Sequence, residues 1–233
     1  MRNQIAVEFY KAIRFSILYI AALVIIISGF LYGNIKISSN LDFNIARVFS
    51  AVIGDTSFIF IISLVVSWFI GNDFLYRTIH NEIKIGYSRI SVVLVRVLPS
   101  IVMAMFLHLA YIFSAIIGFS IKNGFDDSMF TVSNFVWLLT VMVQVCSIVC
   151  IVIFIVFALK KVTSGIAVST IFIVICCSVL RNFINDTVFK LTPFSLAQTS
   201  DSKNLAISSI VAISVIFVSL ISTHFIFRKT EVK

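Results

Sequence analysis

Long apolar runs, each closed by a few charged residues, organise this chain. Residues 15–33, 51–70, 92–120, 131–159, 162–180 and 205–227 are almost free of charge. Each has the length, about 20 residues, that an α-helix needs to cross a hydrocarbon core of about 30 Å. Strict apolar/polar alternation, the mark of a membrane β-barrel, is absent. Two prolines and eight glycines leave little to interrupt helices. The expected fold is all-α and integral to the membrane, with six transmembrane helices in a single transmembrane domain over residues 1–233.

The segments between the runs carry their own patterns. In residues 1–14, Ile5, Ala6, Phe9, Ala12 and Ile13 fall on one helical arc and Gln4, Glu8, Lys11 and Arg14 on the other. That predicts an interfacial helix lying in the headgroup plane. Residues 34–50 read as a polar external loop, and Asp55 as an acid near the outer end of the second span. Arg96 lies close enough to the start of the third span to snorkel to headgroups, and Pro99 is placed to bend that helix. Two small-residue patterns suit close helix contact: the GxxxG of Gly29 and Gly33, and Ala110, Ser114 and Gly118 at intervals of four. Residues 181–204, with Phe183, Ile184, Val188, Phe189, Leu191, Pro193, Phe194 and Leu196, are too apolar for a solvated loop. They predict a partly re-entrant external segment between spans five and six.

The longest charged stretch between two spans is 71–89. Leu75, Tyr76, Ile79 and Ile83 share one arc, with Arg77, His80, Asn81 and Lys84 opposite, so residues 73–86 are expected to form a short amphipathic helix. Asp73 and Thr78 are alternative N-caps, and Gly86 suits the C′ position.

Composition supports a membrane protein. The chain is 60% hydrophobic with mean hydropathy +1.11, and 12% charged, about half the soluble norm of roughly 25%. With six spans and an internal N-terminus, the net charge of +8 falls entirely on internal segments, and the external ones balance to zero. The positive-inside rule then places both termini in the cytoplasm. This distribution argues against nucleic acid as the partner of the basic residues.

Chemistry-bearing motifs are sparse. No G-x-x-x-x-G-K-[ST] phosphate loop and no H-E-x-x-H zinc helix occurs. Cys146, Cys150, Cys176 and Cys177 sit in apolar runs without Asp, Glu or His beside them, so no metal site is expected. His108 and Gln144 are the polar groups at mid-membrane depth, and each reads as bonded to a neighbouring helix or, alternatively, as lining a substrate path. An ion-driven carrier needs an intramembrane acid or base relay. His108 alone is a poor relay, which favours an energy source outside this chain.

Thr78-Ile79-His80-Asn81, then Gly86, then Ser88-Arg89 resembles the cytoplasmic turn of type-2 ABC transporter permeases. Asp73 stands where that family usually has Glu, and Arg77 where it has Gly. The six-span layout is similar over nearly the whole chain. The resemblance implies a coupling helix, carrying Asp73, Arg77, Thr78, Ile79, Asn81, Glu82, Ile83, Lys84, Gly86 and Arg89, that docks on a separate ABC ATPase subunit. It also implies an outer gate near Pro193 and Phe194, a second permease subunit (identical or homologous), and a bacterial plasma-membrane location. On this reading the chain is not itself an enzyme and holds no cofactor. ATP and Mg act through the partner, and the cargo resembles an amphipathic or antimicrobial peptide, such as a phenol-soluble modulin or lantibiotic. The alternatives are a stand-alone secondary transporter or channel, and a membrane immunity protein acting by binding alone.

Overall fold

In the computed structural model, residues 2–37, 45–125, 127, 130–196 and 202–229 are described. Among them there is helix and turn but no strand. The helices are α1 (Arg2–Ile13), α2 (Ser16–Leu31), α3 (Ile45–Ile53), α4 (Ile59–Leu75), α5 (Thr78–Lys84), α6 (Arg89–Asn123), α7 (Val132–Leu159), α8 (Val162–Val174), α9 (Leu180–Phe183), α10 (Asp186–Phe189) and α11 (Ser202–Lys229). Wider π-helical turns continue α2 over Tyr32–Ile37 and α8 over Ile175–Val179.

Five stretches among the described residues are long and apolar enough to cross a membrane: Ser16–Ile35, Arg89–Asn123, Val132–Leu159, Val162–Val179 and Lys203–Arg228. The chain is thus an all-helical membrane-spanning protein. A sixth candidate, α4, meets the same test only together with α5, from which it is bent by 55°.

The apolar runs 131–159 and 205–227 fall on α7 (Val132–Leu159) and α11 (Ser202–Lys229). The second run is divided. Residues 51–70 do not form one helix, because the chain turns at 54–58 and α4 starts at Ile59. Part of the predicted external loop 34–50 is instead α3, whose Ile45, Val48, Phe49, Val52 and Ile53 are all buried. Residues 38–44 of that loop lie outside the described residues. The turn at 54–58 is held by Asp55, which accepts from the Ser57 N–H at 2.9 Å and from the Tyr111 hydroxyl at 2.5 Å. The short helix expected over residues 73–86 is α5, Thr78–Lys84, because Asp73 and Leu75 belong to α4.

The small-residue patterns mark a real contact. α2 and α6 run side by side, and a Cβ on Gly29, Gly33 or Gly118 would collide with Ser114 Oγ, the Ala115 carbonyl or the Phe30 carbonyl. Polar side chains join other pairs: Ser67 and Ser169 share a 2.6 Å hydrogen bond between α4 and α8, and Ser209 donates to Thr140 at 3.4 Å between α11 and α7. Edge-on rings of Phe74, Phe157 and Phe227 stitch α4, α7 and α11 together near α5.

Between α8 and α11, the segment predicted to be re-entrant forms three short helical turns, Leu180–Phe183, Asp186–Phe189 and Pro193–Ser195, and its residues 197–201 lie outside the described residues. Phe189, Pro193 and Leu196 are buried, while Phe183 and Val188 remain exposed. This matches the apolar character of the segment, which would be costly in open water.

Gly118→Ala is expected to separate α2 from α6 and to destabilise the protein by about 1–3 kcal/mol, the usual cost of overpacking. Unfolding in detergent, compared with the wild-type chain, measures this. An unchanged midpoint for Gly118→Ala would refute the contact.

Candidate functional site

The helix α5 is built by two backbone devices. α4 ends as the Tyr76 N–H bonds the Asn72 carbonyl at 2.9 Å, and Arg77 then turns the chain in the left-handed region at φ 54°. Neither Asp73 nor Thr78 caps α5; Arg77 occupies the N-cap position without a side-chain bond. At the other end Gly86 has φ +101°, as expected for a C′ glycine. The Gly86 N–H bonds the Ile83 carbonyl at 3.0 Å and the Tyr87 N–H bonds the Glu82 carbonyl at 3.1 Å. Ser88 then caps α6 by accepting from the Ser91 N–H at 3.2 Å.

Behind this elbow lies a charge cluster centred on Arg96, which is fully buried. Arg96 Nε donates to Asp73 Oδ2 at 2.6 Å, Nη1 to Glu82 Oε2 at 2.9 Å, and Nη2 to Glu82 Oε1 at 3.0 Å. Nη1 also bonds the Val92 carbonyl at 2.9 Å. Glu8 approaches Arg96 Nη2 at 3.8 Å and is bonded by Lys11 Nζ at 3.2 Å. Lys11 bonds Asp73 as well and lies 4.9 Å above the Phe69 ring. A single guanidinium therefore ties α1, α4 and α5 to the base of α6. Burying such a charge is tolerable only because its planar fork of donors is nearly filled by carboxylates.

This corrects the reading of α1. Its polar arc was expected to face water, yet Glu8 is 3% exposed and faces the protein, while Ala6, Val7, Tyr10 and Ile13 are exposed. Burial, above all, and the nearby Asp73 charge raise the Glu8 carboxyl above its ordinary 4.5, against the pull of Lys11 and Arg96. Arg96 does not snorkel to headgroups; it is held by the elbow.

The expected coupling residues divide into two sets. Asp73, Ile79, Glu82 and Ile83 face inward, Ile79 fully buried. Arg89 also turns inward, donating to the Phe227 and Arg228 carbonyls at 2.6 Å each and so closing the C-terminal end of α11. Arg77, Asn81, Lys84 and Gly86 are exposed, and Thr78 is partly so. They are joined by large exposed side chains at the two turns: Leu75, Tyr76 (73% exposed), Ile85 (76%) and Tyr87. Leu75 and Tyr76 were expected on one arc with Ile79 and Ile83, but both precede the left-handed turn: Leu75 ends α4 and Tyr76 is its C-cap.

His108 and Gln144 are fully buried within this one chain, and none of their side-chain polar atoms has a hydrogen-bond partner. The His108 ring lies 4.9 Å from the Phe58 ring. Pro193 is buried, and the partly buried Phe194 ring meets Phe172 edge-on at 6.3 Å.

Sequence reasoning missed Glu8, Lys11 and Arg96 as one site. The available signal was Arg96 itself, a lone cation in the apolar run of residues 92–120 with unassigned acids on both sides of it in sequence. Arg96→Met is expected to leave Glu82 without its arginine and Glu8 and Asp73 sharing Lys11, and to cost about 3–5 kcal/mol, the usual loss when one member of a buried ion cluster is removed. Arg96→Lys should restore little, since a point-like ammonium cannot span both Asp73 and Glu82. Denaturant midpoints in detergent measure both variants; wild-type stability in Arg96→Met would refute the role of the hub. No protein-family model, curated protein or solved structure matches the chain.

Proposed function

We propose that this chain is the permease subunit of an ATP-driven ABC exporter. Its α5 elbow is the place where a separate ATPase subunit docks. The observation that carries this reading is the elbow's division into a buried root and an exposed tip. Arg96 anchors the root to α4 and α6, whereas Leu75, Tyr76, Arg77, Lys84, Ile85 and Tyr87 stand free at the turns. A connection between two spans needs neither feature, but a lever needs both. Aromatic and apolar side chains ringed by basic ones are also what protein interfaces favour.

On this proposal α4 is the sixth span, and the α5 face is cytoplasmic, where the Lys/Arg excess places it. A second permease subunit, identical or homologous, completes the path, and Pro193 and Phe194 belong to the opposite, outer gate. The cargo is an amphipathic peptide. A cavity of about 440 Å³ between α3, α6 and α7, walled by Phe49, Ile112, Phe113, Phe130, Phe135 and Leu138, offers its apolar face a place to lie.

The double variant Tyr76→Ala, Ile85→Asp removes the tip and leaves the root intact. It should reach the membrane at wild-type level, yet lose its co-purifying ATPase activity by roughly tenfold or more, since buried interface anchors commonly cost over 1 kcal/mol each. The wild-type chain alone, reconstituted in vesicles, should move no peptide. Undiminished ATPase association in the double variant, or gradient-driven flux by the chain alone, would reject the proposal.

A further inference from the structure

The Arg96 cluster is unbalanced. Among the described residues it brings together three carboxylates, Glu8, Asp73 and Glu82, and two bases, Lys11 and Arg96. The shortfall falls on Glu8. Arg96 spends its donors on Asp73, Glu82 and the Val92 carbonyl, and its nearest nitrogen is 3.8 Å from Glu8, beyond hydrogen-bond reach. Glu8 keeps one hydrogen bond, from Lys11, which it shares with Asp73, and a longer ion pair with Arg96. A carboxylate that is 3% exposed and holds half of one ammonium is poorly compensated as an anion.

We infer that Glu8 is a proton-operated latch: it is protonated while α1 lies against the elbow, and its ionisation releases α1. The groups that face it are Lys11 on its own helix, Asp73 from α4, Arg96 from α6, and Glu82 and Tyr87 across a crevice. Asn3, Gln4 and Val7 complete the lining of that crevice, which has a volume of about 150 Å³ and gives protons a way in. Besides Glu8, α1 is held by Lys11, which bonds Asp73 and lies over the Phe69 ring, and by Ala12, which is buried in the core. The Ser91 hydroxyl donates to Gln4 Oε1 at 3.1 Å, and Val7, Tyr10 and Ile13 project away from the protein.

The sign follows from the burial of the acid. Docking raises the carboxyl above 4.5, so the docked state binds the proton more tightly than the released state. Docking is strongest below the ordinary value and weakens as pH rises through the raised one. Protons therefore close the latch and alkali opens it. This inference concerns α1 and the elbow alone and holds whatever the chain transports.

The test uses the full chain in lipid nanodiscs. Infrared difference spectra collected along a pH titration should show a protonated carboxyl stretch that is lost as pH rises above the ordinary carboxylate range and is absent from Glu8→Gln. Spin labels on Val7→Cys and Lys84→Cys, with the four native cysteines replaced, should report a longer distance in alkaline buffer. In Glu8→Gln, a permanent mimic of the protonated acid, the distance should stay short throughout. Glu82→Gln frees Arg96 donors for Glu8, so both transitions should move to lower pH. A carboxyl signal that survives Glu8→Gln overturns the proton assignment. A label distance that ignores pH while the carboxyl titrates overturns the latch.

Discussion

A guanidinium shut away from water must be met by carboxylates. Even after relaxation the penalty for taking an ion out of water is several kcal/mol, and no uncharged partner repays it. In this chain the carboxylates come from three other elements, one each from α1, α4 and α5. Satisfying Arg96 therefore fixes three helices at once against the base of α6. Arg89, about two helical turns earlier, does the same for the end of α11 by closing its last carbonyls. Nearly every element at this end of the molecule is registered to α6 by one of these two arginines.

Farther along α6 a different device takes over. Gly29, Gly33 and Gly118 let the backbones of α2 and α6 approach to contact distance, and there dispersion contacts between close backbones replace charge. The division is physically sensible. Dispersion is always available inside a membrane, whereas apolar burial drives no association between helices already in lipid. Ion pairing is specific but tolerable only where the cluster can be reached by the polar ends of several elements.

What the sequence made legible was what is local. The small-residue spacings, the Gly86 stop and the placement of α7 and α11 each follow from residues within a turn or two of one another. The second span was misread because residues 45–70 are apolar on both sides of the turn at 54–58, so hydropathy alone places no boundary there. Arg77 in a left-handed conformation was also invisible, since that region favours glycine or asparagine, and this single turn reassigned Leu75 and Tyr76. The inward face of α1 was misread for a third reason. Glu8 and Lys11 look like a water-facing arc until a buried arginine 88 residues beyond Glu8 supplies the reason for turning inward, and a periodicity argument has no access to that pairing.

The same cluster bears on how a push at the elbow would travel. A short helix joined by flexible loops would absorb a displacement at its tip by swinging. Here Ile79 is sunk into the core and Glu82 makes two bonds to Arg96, so α5 cannot turn without dragging the start of α6 or breaking those bonds. Asp73 binds the same guanidinium from the last turn of α4, so the pull is shared by the two helices that flank the elbow. Movement of the elbow as a unit with α4 and α6 is cheaper than movement of α5 alone, because the first keeps every carboxylate paired and the second strands at least one. A push on α5 would therefore act on α4 and α6 together, and α1, held mainly through Glu8 and Lys11, is the part of the cluster best able to come free while the rest stays closed.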